Sequence, residues 1–223
     1  MFGMNRREFL HSLLEFPQLE RVEIDGVRHY VTPAGTFKSV TTILGENMDH
    51  SWLDEWKARV GEEEVAKVSG MAARRGTAVH ELCEKYLMND TQYKRGAMPV
   101  NLETFSKIRP FLDKNVGLIY GVEARLYSGT LKAAGTTDLI ASYKGKKSIV
   151  DFKTSKKVKT HHDIPGYFIQ ATSYAMMLEE LYPDYFPRVE QAVILMSVDH
   201  SDALEFVVKT DDWRERVTDI FCC

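Results

Sequence analysis

The chain has 223 residues, 44% hydrophobic and 27% charged, the balance of a globular protein with one substantial core. No apolar run approaches the roughly twenty residues of a membrane span, and the first fifteen residues, with Arg6, Arg7, Glu8 and Glu15, lack the apolar core of a secretion signal, so an intracellular location is expected. A net charge of −3 and a pI near 6.2 argue against a general nucleic-acid coat, whose affinity would rest on many Lys and Arg contacts, and three cysteines, Cys83, Cys222 and Cys223, do not make a disulfide framework.

Residues 5–15 predict a short helix. Residues 22–30, centred on Asp25-Gly26, predict a hairpin. It continues through a Pro33/Gly35 turn into Phe37-Lys38-Ser39. Ser39, Thr41 and Thr42 suit the cap of a following helix, and their hydroxyls also suit bonding to phosphates. Residues 51–59 and 62–88 predict helices, with a break near Gly70. Trp52 and Trp56 share a face, either as core or, if exposed, as a stacking surface for bases. Val79, Leu82, Cys83, Tyr86 and Leu87 recur at three- and four-residue spacing, the pattern of an amphipathic helix, and His80 lies just off that stripe. Residues 89–100 predict a polar loop. Residues 101–115 predict a helix with Phe105, Ile108, Phe111 and Leu112 as its apolar stripe.

Residues 117–127 predict a strand carrying Glu123. Residues 139–143 and 148–152 predict two short strands joined by a turn at 144–146. A hairpin of that length folds the chain back so that Asp138 comes beside Asp151. Asp151 and Lys153 are two apart on a strand and face the same side. Two carboxylates that close repel unless a cation lies between them. Hard oxygen ligands with open water positions suit Mg2+ or Mn2+. The nearby amine can orient or deprotonate a water, or stabilise charge on a phosphate. Lysines 144, 146, 147, 153, 156, 157 and 159 crowd this stretch, with Asp151 the only acid among them. They read either as a solvated turn and loop or as a rim that steers phosphate toward the site. Residues 166–181 predict a helix with Gln170 and Tyr174 on one face. Residues 191–198 predict a buried strand, 204–208 its partner, and 211–220 a terminal helix with Asp212 and Trp213 near its start.

The order acid, hairpin, acid-x-lysine (Asp138, then Asp151-Phe152-Lys153) resembles the PD-(D/E)xK nuclease superfamily. Arg74-Arg75-Gly76-Thr77-Ala78-Val79-His80 upstream and Gln170-x-x-x-Tyr174 downstream resemble its RecB-like branch. Ser39-Val40-Thr41-Thr42-Ile43-Leu44 ahead of the Trp52/Trp56 helix is similar to phage exonucleases and mitochondrial genome maintenance exonucleases. Together these motifs run from about residue 37 to about residue 200.

The resemblance implies an α/β fold: a restriction-endonuclease-like core with a central mixed β-sheet flanked by helices, and an N-terminal helical elaboration. It implies one domain, mainly helical with a small hairpin over 1–118 and carrying the core sheet over 119–223. It implies metal-dependent hydrolysis of DNA phosphodiester bonds. His80, Asp138 and Asp151 are the expected ligands of Mg2+ or Mn2+, with the Phe152 carbonyl and Glu123 as further ligands. Lys153, Asp138, Asp151 and Gln170 are the expected catalytic set. Tyr174, Arg75, Ser39, Thr41 and Lys156 are the expected DNA contacts, with Arg74 beside them. Some RecB-like members carry a four-cysteine iron–sulfur cluster; three cysteines cannot supply one, and none is expected. The expected activity is that of an exonuclease on single strands or free ends, threaded beneath an arch of the N-terminal helices. An endonuclease of the same fold and a non-catalytic DNA-binding module are the alternatives. Implied partners are DNA and replication or recombination proteins, with no membrane, in a cytoplasm that is the host's if a bacteriophage encodes the chain.

Overall fold

Two tight turns set the register of the sheet. Asp25 and Gly26 (φ 52° and 75°) and Lys144 and Gly145 (φ 51° and 81°) put two successive left-handed residues between antiparallel strands. That geometry matches the natural twist of a two-residue hairpin, and glycine adopts it without a Cβ penalty. The computed structural model describes residues 7–47 and 51–222, with 51–55 by backbone alone.

In chain order the elements are β1 (Leu10–His11), β2 (Glu20–Ile24), β3 (Val27–Thr32), β4 (Gly35–Ser39), α1 (Val40–Asn47), α2 (Ser51–Val60), α3 (Glu62–Leu87), α4 (Pro99–Asn115), β5 (Val116–Ser128), β6 (Ala133–Tyr143), β7 (Lys146–Ser155), α5 (Pro165–Leu181), β8 (Gln191–Val198), β9 (Leu204–Lys209) and α6 (Arg214–Phe221). The strands form one mixed sheet in the order β2-β3-β4-β6-β7-β8-β9, with β5 antiparallel to β6 and β1 parallel to β5. β8 runs parallel to β7 and is fully buried, because α5 makes the crossover on one face and α4 covers the other.

Two apolar clusters hold the layers together. On one face α1, α5 and α6 pack through Val40, Leu44, Phe168, Leu178, Val217 and Phe221. On the other, α3 and α4 pack through Val79, Leu82, Tyr86, Phe105, Ile108 and Leu112. The helix stripes expected at 79–87 and 105–112 are therefore the faces that reach the sheet, although Phe111 is only partly buried.

β6 is where the sheet forks. Ala133 and Ala134 pair with Lys38 and Ser39 of β4, while residues 139–143 pair with β7 on the same side. Residues 135–138 have no ladder partner there. Gly135 sits in this gap, and a Cβ on it would lie 2.6 Å from the Tyr174 hydroxyl of α5.

Several expectations give way. Among its described residues the 5–15 segment is not helical. It runs extended along β5, with Ser12 N–H donating to the Ile119 carbonyl and Leu14 N–H to that of Tyr120. Phe9 is buried while Leu10 and Leu13 stay exposed, and the open edge of β5 offers the segment backbone bonds that its local apolar pattern does not reveal. α3 also passes through Gly70 without a break. One internal glycine costs about 1 kcal/mol, and Glu62, Glu63 and Glu64 in the first turn offset part of it through the helix dipole. The N-terminal hairpin gains a third strand, β4, which joins the core sheet. Trp52 lies outside the described side chains, and Trp56 is half-buried.

Gly135→Ala is expected to cost about 1–3 kcal/mol, the range for forcing atoms into a packed site, read as a lower midpoint in thermal unfolding. Tyr174→Phe in that background should recover part of the loss, since it removes the nearest atom. An unchanged midpoint for Gly135→Ala would mean that Tyr174 has room to move.

Candidate active site

The strand registers line three carboxylates up in one row. Asp138 lies one step beyond the pair Leu139↔Val150 and so falls level with Asp151 on β7. Glu123 falls across from Asp138 on the other side, between the pairs Val122↔Leu139 and Ala124↔Thr137. β5 carries two register shifts before this point, and Glu123 itself has φ 49°. The irregular strand turns its carboxylate out of the pleat, and Glu123 is exposed while Asp138 and Asp151 are buried.

α3 crosses the row and supplies His80. The Nε2–H of His80 donates to the Phe152 carbonyl at 2.7 Å, and Nδ1 lies 3.3 Å from Asp138 Oδ1. The Phe152 N–H donates back to Asp138 Oδ2 at 2.7 Å. Lys153 Nζ lies 2.6 Å from Asp151 Oδ2, and Gln170 of α5 donates to Asp151 Oδ1 at 3.3 Å. His80, Asp138, Asp151, Phe152, Lys153 and Gln170 thus meet in one place. Tyr167 joins them, its ring 4.9 Å from the Lys153 ammonium. Tyr167 carried no sequence signal, because a tyrosine one turn before Gln170 reads as an ordinary helix position.

Burial works against every charge in this cluster, and the partners decide the outcome. Burial lowers the His80 pKa, but the Asp138 charge and hydrogen bond, with help from Asp151, raise it to about 9. Burial raises Asp138, yet His80, Lys153 and the Phe152 N–H hold it below the usual carboxylate range. Asp151 rises to about 6, because burial and Asp138 outweigh Lys153. Burial lowers Lys153, but Asp151 and Asp138 keep it above the ordinary lysine value, so it is an ammonium. Glu123, exposed as a residue but with its carboxyl partly shielded from water by the cluster, rises to about 7 through that desolvation and the nearby Asp138.

The donor set fits a divalent cation. Ligand atoms of His80, Glu123 and Asp138 lie within 4.8 Å of one another. Asp151 Oδ2 is buried and makes no directed hydrogen bond, only the ion contact with Lys153. A row of carboxylate oxygens with an imidazole and a backbone carbonyl beside it suits a hard ion that also keeps water.

The expected DNA contacts scatter more widely. Ser39 is buried and caps α1, accepting from the Thr42 N–H at 3.1 Å, and its hydroxyl meets that of Thr41 at 3.1 Å. Tyr174 is buried, while Thr41 and Lys156 are exposed. Arg75 binds inward: its guanidinium lies 2.5 Å from Asp199 and donates to Thr104 at 2.9 Å, tying α3 to α4 and the end of β8. Arg74 is exposed. The lysine-rich stretch does not encircle the site. Lys144, Lys146 and Lys147 sit at the hairpin tip, about 17 Å along the strand from Asp138, where Lys144 pairs with Glu205 at 2.5 Å and Lys147 donates to the Tyr185 carbonyl. Sequence proximity overstated them because a hairpin sends its turn away from the ends of its strands.

The fold is that of a nuclease superfamily. The family model of the PD-(D/E)XK nuclease superfamily matches residues 8–221, and the chain belongs to that superfamily. Curated relatives include mitochondrial genome maintenance exonuclease 1 of Xenopus tropicalis, 27% identical over 134 residues (57% of this chain, 38% of the relative). The human protein of that name is 28% identical over 142 residues (60% and 39%). The chain thus spans less than two fifths of the length of these relatives. A crystal structure of a candidate exonuclease from Eubacterium rectale aligns with a TM-score of 0.46 at 14% identity, covering 66% of this chain and 63% of that one. Among the described residues no helix is long and apolar enough to cross a membrane.

The His80 shift has a testable sign. Its raised pKa contributes stability that is complete below about pH 6.5, the unfolded value, and is lost as pH rises through about 9. In chelator, wild type should lose stability over that window. Asp138→Asn should move the His80 titration, followed by imidazole NMR, below 6.5, since burial then dominates. A His80 titration in Asp138→Asn still near 9 would contradict the account.

Proposed function

We propose that this chain is a divalent-metal-dependent DNA exonuclease acting on single strands or free ends. The observation that carries the reading is the row Glu123–Asp138–Asp151 with His80 above it and the Lys153 ammonium at its end. His80, Asp138, Asp151, Glu123 and the Phe152 carbonyl are the groups that would hold Mg2+ or Mn2+. When bound, such an ion polarises a phosphate oxygen and acidifies a coordinated water.

The chain's own residues supply the rest. Lys153, already charged, donates hydrogen bonds to the attacking water or to the phosphate oxygens as negative charge builds on them. Its raised pKa favours that role over general base. Gln170 orients Asp151, and the Tyr167 ring steadies the ammonium. The exposed part of α3 before His80, with Arg74, and the half-buried Trp56 of α2 are the surfaces suited to guide a strand toward the row. The exonuclease names of the relatives support end-directed cleavage.

End-labelled linear and covalently closed single-stranded DNA, each with Mg2+, Mn2+ or chelator, test the reading. Metal-dependent loss of the linear strand alone is expected. Equal cutting of the closed circle would make it an endonuclease, and no cutting in either metal would leave a DNA-binding module. Asp138→Asn and Lys153→Ala should each lower the rate by about a thousandfold or more, as expected when charge stabilisation in the transition state is lost, with unfolding transitions still cooperative. Full activity in either variant would refute the assignment of the site.

A further inference from the structure

Beside the row of acids lies a cavity of about 240 Å³. Its floor is Gly135, Thr136, Gln170 and Tyr174, in the gap where β4 and β7 part from β6. Its wall is Ser39 and Thr41 at the start of α1, and its rim is Arg21, Arg28 and Tyr30 from the β2–β3 hairpin. Glu123 lines it too, so the cavity opens directly onto the proposed metal ligands.

The two arginines are placed by register. Arg21 pairs with Tyr30 and Glu23 with Arg28, so Arg21 and Arg28 are diagonal neighbours on one face of the hairpin. Two like charges at that spacing are unfavourable unless something answers them. Neither guanidinium has a hydrogen-bond or ion-pair partner among the described residues, although Glu23 stands opposite Arg28. Below them the cavity presents hydroxyls and an amide: Ser39, Thr41, Thr136, Tyr174 and Gln170. Guanidinium groups over hydroxyl and amide donors form a receptor for a tetrahedral oxyanion. The polar lining suits a phosphate better than a stacked base, and the space is ample for a phosphate with part of its ribose.

We propose that this cavity is a phosphate subsite of the nucleic-acid strand, and that Arg21 and Arg28 clamp the phosphate next to the one lying at the acid row. The inference rests on the nuclease reading and extends it: the N-terminal hairpin, not the lysine-rich stretch, sets where along the strand the cut falls. The ligand is a nucleotide phosphate, either internal to the strand or terminal.

The test is binding of fluorescent oligothymidylates to the full chain in chelator, across a series of salt concentrations. Oligomers ending in hydroxyls, in a 5′-phosphate and in a 3′-phosphate are compared. Arg21→Ala and Arg28→Ala should each weaken binding about tenfold, the loss expected for a charged hydrogen bond. Each should also lower the slope of log K against log salt by about 0.7, the value for one phosphate contact on a single strand. Arg21→Lys should keep the slope, and Arg216→Ala, remote on α6, should leave both quantities unchanged. A preference of wild type for one phosphorylated end, absent in the alanine variants, assigns a terminal phosphate. Equal losses on all three oligomers assign an internal one. Wild-type slope and affinity in both alanine variants would overturn the subsite. Wild-type cleavage with Mn2+ is measured in parallel, so that failure of the nuclease reading is separately visible.

Discussion

The structure depends on keeping like charges together. Three carboxylates stand in register on adjacent strands, and like charges directly opposite each other in a sheet are destabilising. Two of them are buried, where the cost of an unpaired charge is several kcal/mol. The molecule answers with an imidazole from α3, an ammonium and a backbone N–H from β7, and an amide from α5. His80 is within reach only because α3 lies across the sheet, and α3 is fixed there by its apolar stripe and by Arg75 gripping Asp199 and Thr104. Helix packing and electrostatics are therefore one arrangement: loosening α3 would leave Asp138 without its main partner.

The fork in the sheet is the second half of the same arrangement. A continuous ladder along β6 would pair residues 135–138 and close the surface. Because β4 leaves after Ala134 and β7 begins its pairing at Leu139, the backbone there stays open, with Gly135 bare and Tyr174 beneath it. The opening costs ladder hydrogen bonds. In return it gives a concave, polar patch at the edge of the acid row. α5 closes the bottom of the fork, and its residues Gln170 and Tyr174 are buried for that reason, not because a helix face carrying a glutamine is apolar.

Much of this was legible in the sequence where the signal is local. Asp25-Gly26 marked a hairpin because two left-handed residues demand small side chains, and the spacing of Asp138 and Asp151 around a short turn fixed their proximity. The pattern of α3 showed which face is buried, hence where His80 points. Legibility failed where the outcome depends on distant partners. Residues 7–15 run extended because β5 has a free edge, which no local pattern records. The lysine stretch misled because linear charge density says nothing about the far end of a hairpin. Arg21 and Arg28 passed unnoticed because alternating charges in a short strand normally mean a solvated face. Their significance comes from β4, which carries the hairpin to the fork.

Glu123 shows how the backbone itself was bent to serve the row. A non-glycine residue with φ 49° costs of the order of 1 kcal/mol or more, and the two register shifts before it forgo regular pairing. Without the distortion, a regular strand would place its carboxylate in the same pleat as Asp138, adding a third buried anion to two. With it, the group stays exposed and close, on the open side of the cluster, with a pKa near 7. Its raised pKa weakens the repulsion that a third fully charged acid would add, while the carboxyl stays placed to serve as a ligand for a cation. The strain in β5 thus separates two requirements that regular geometry would set against each other, folding without a cation and holding one.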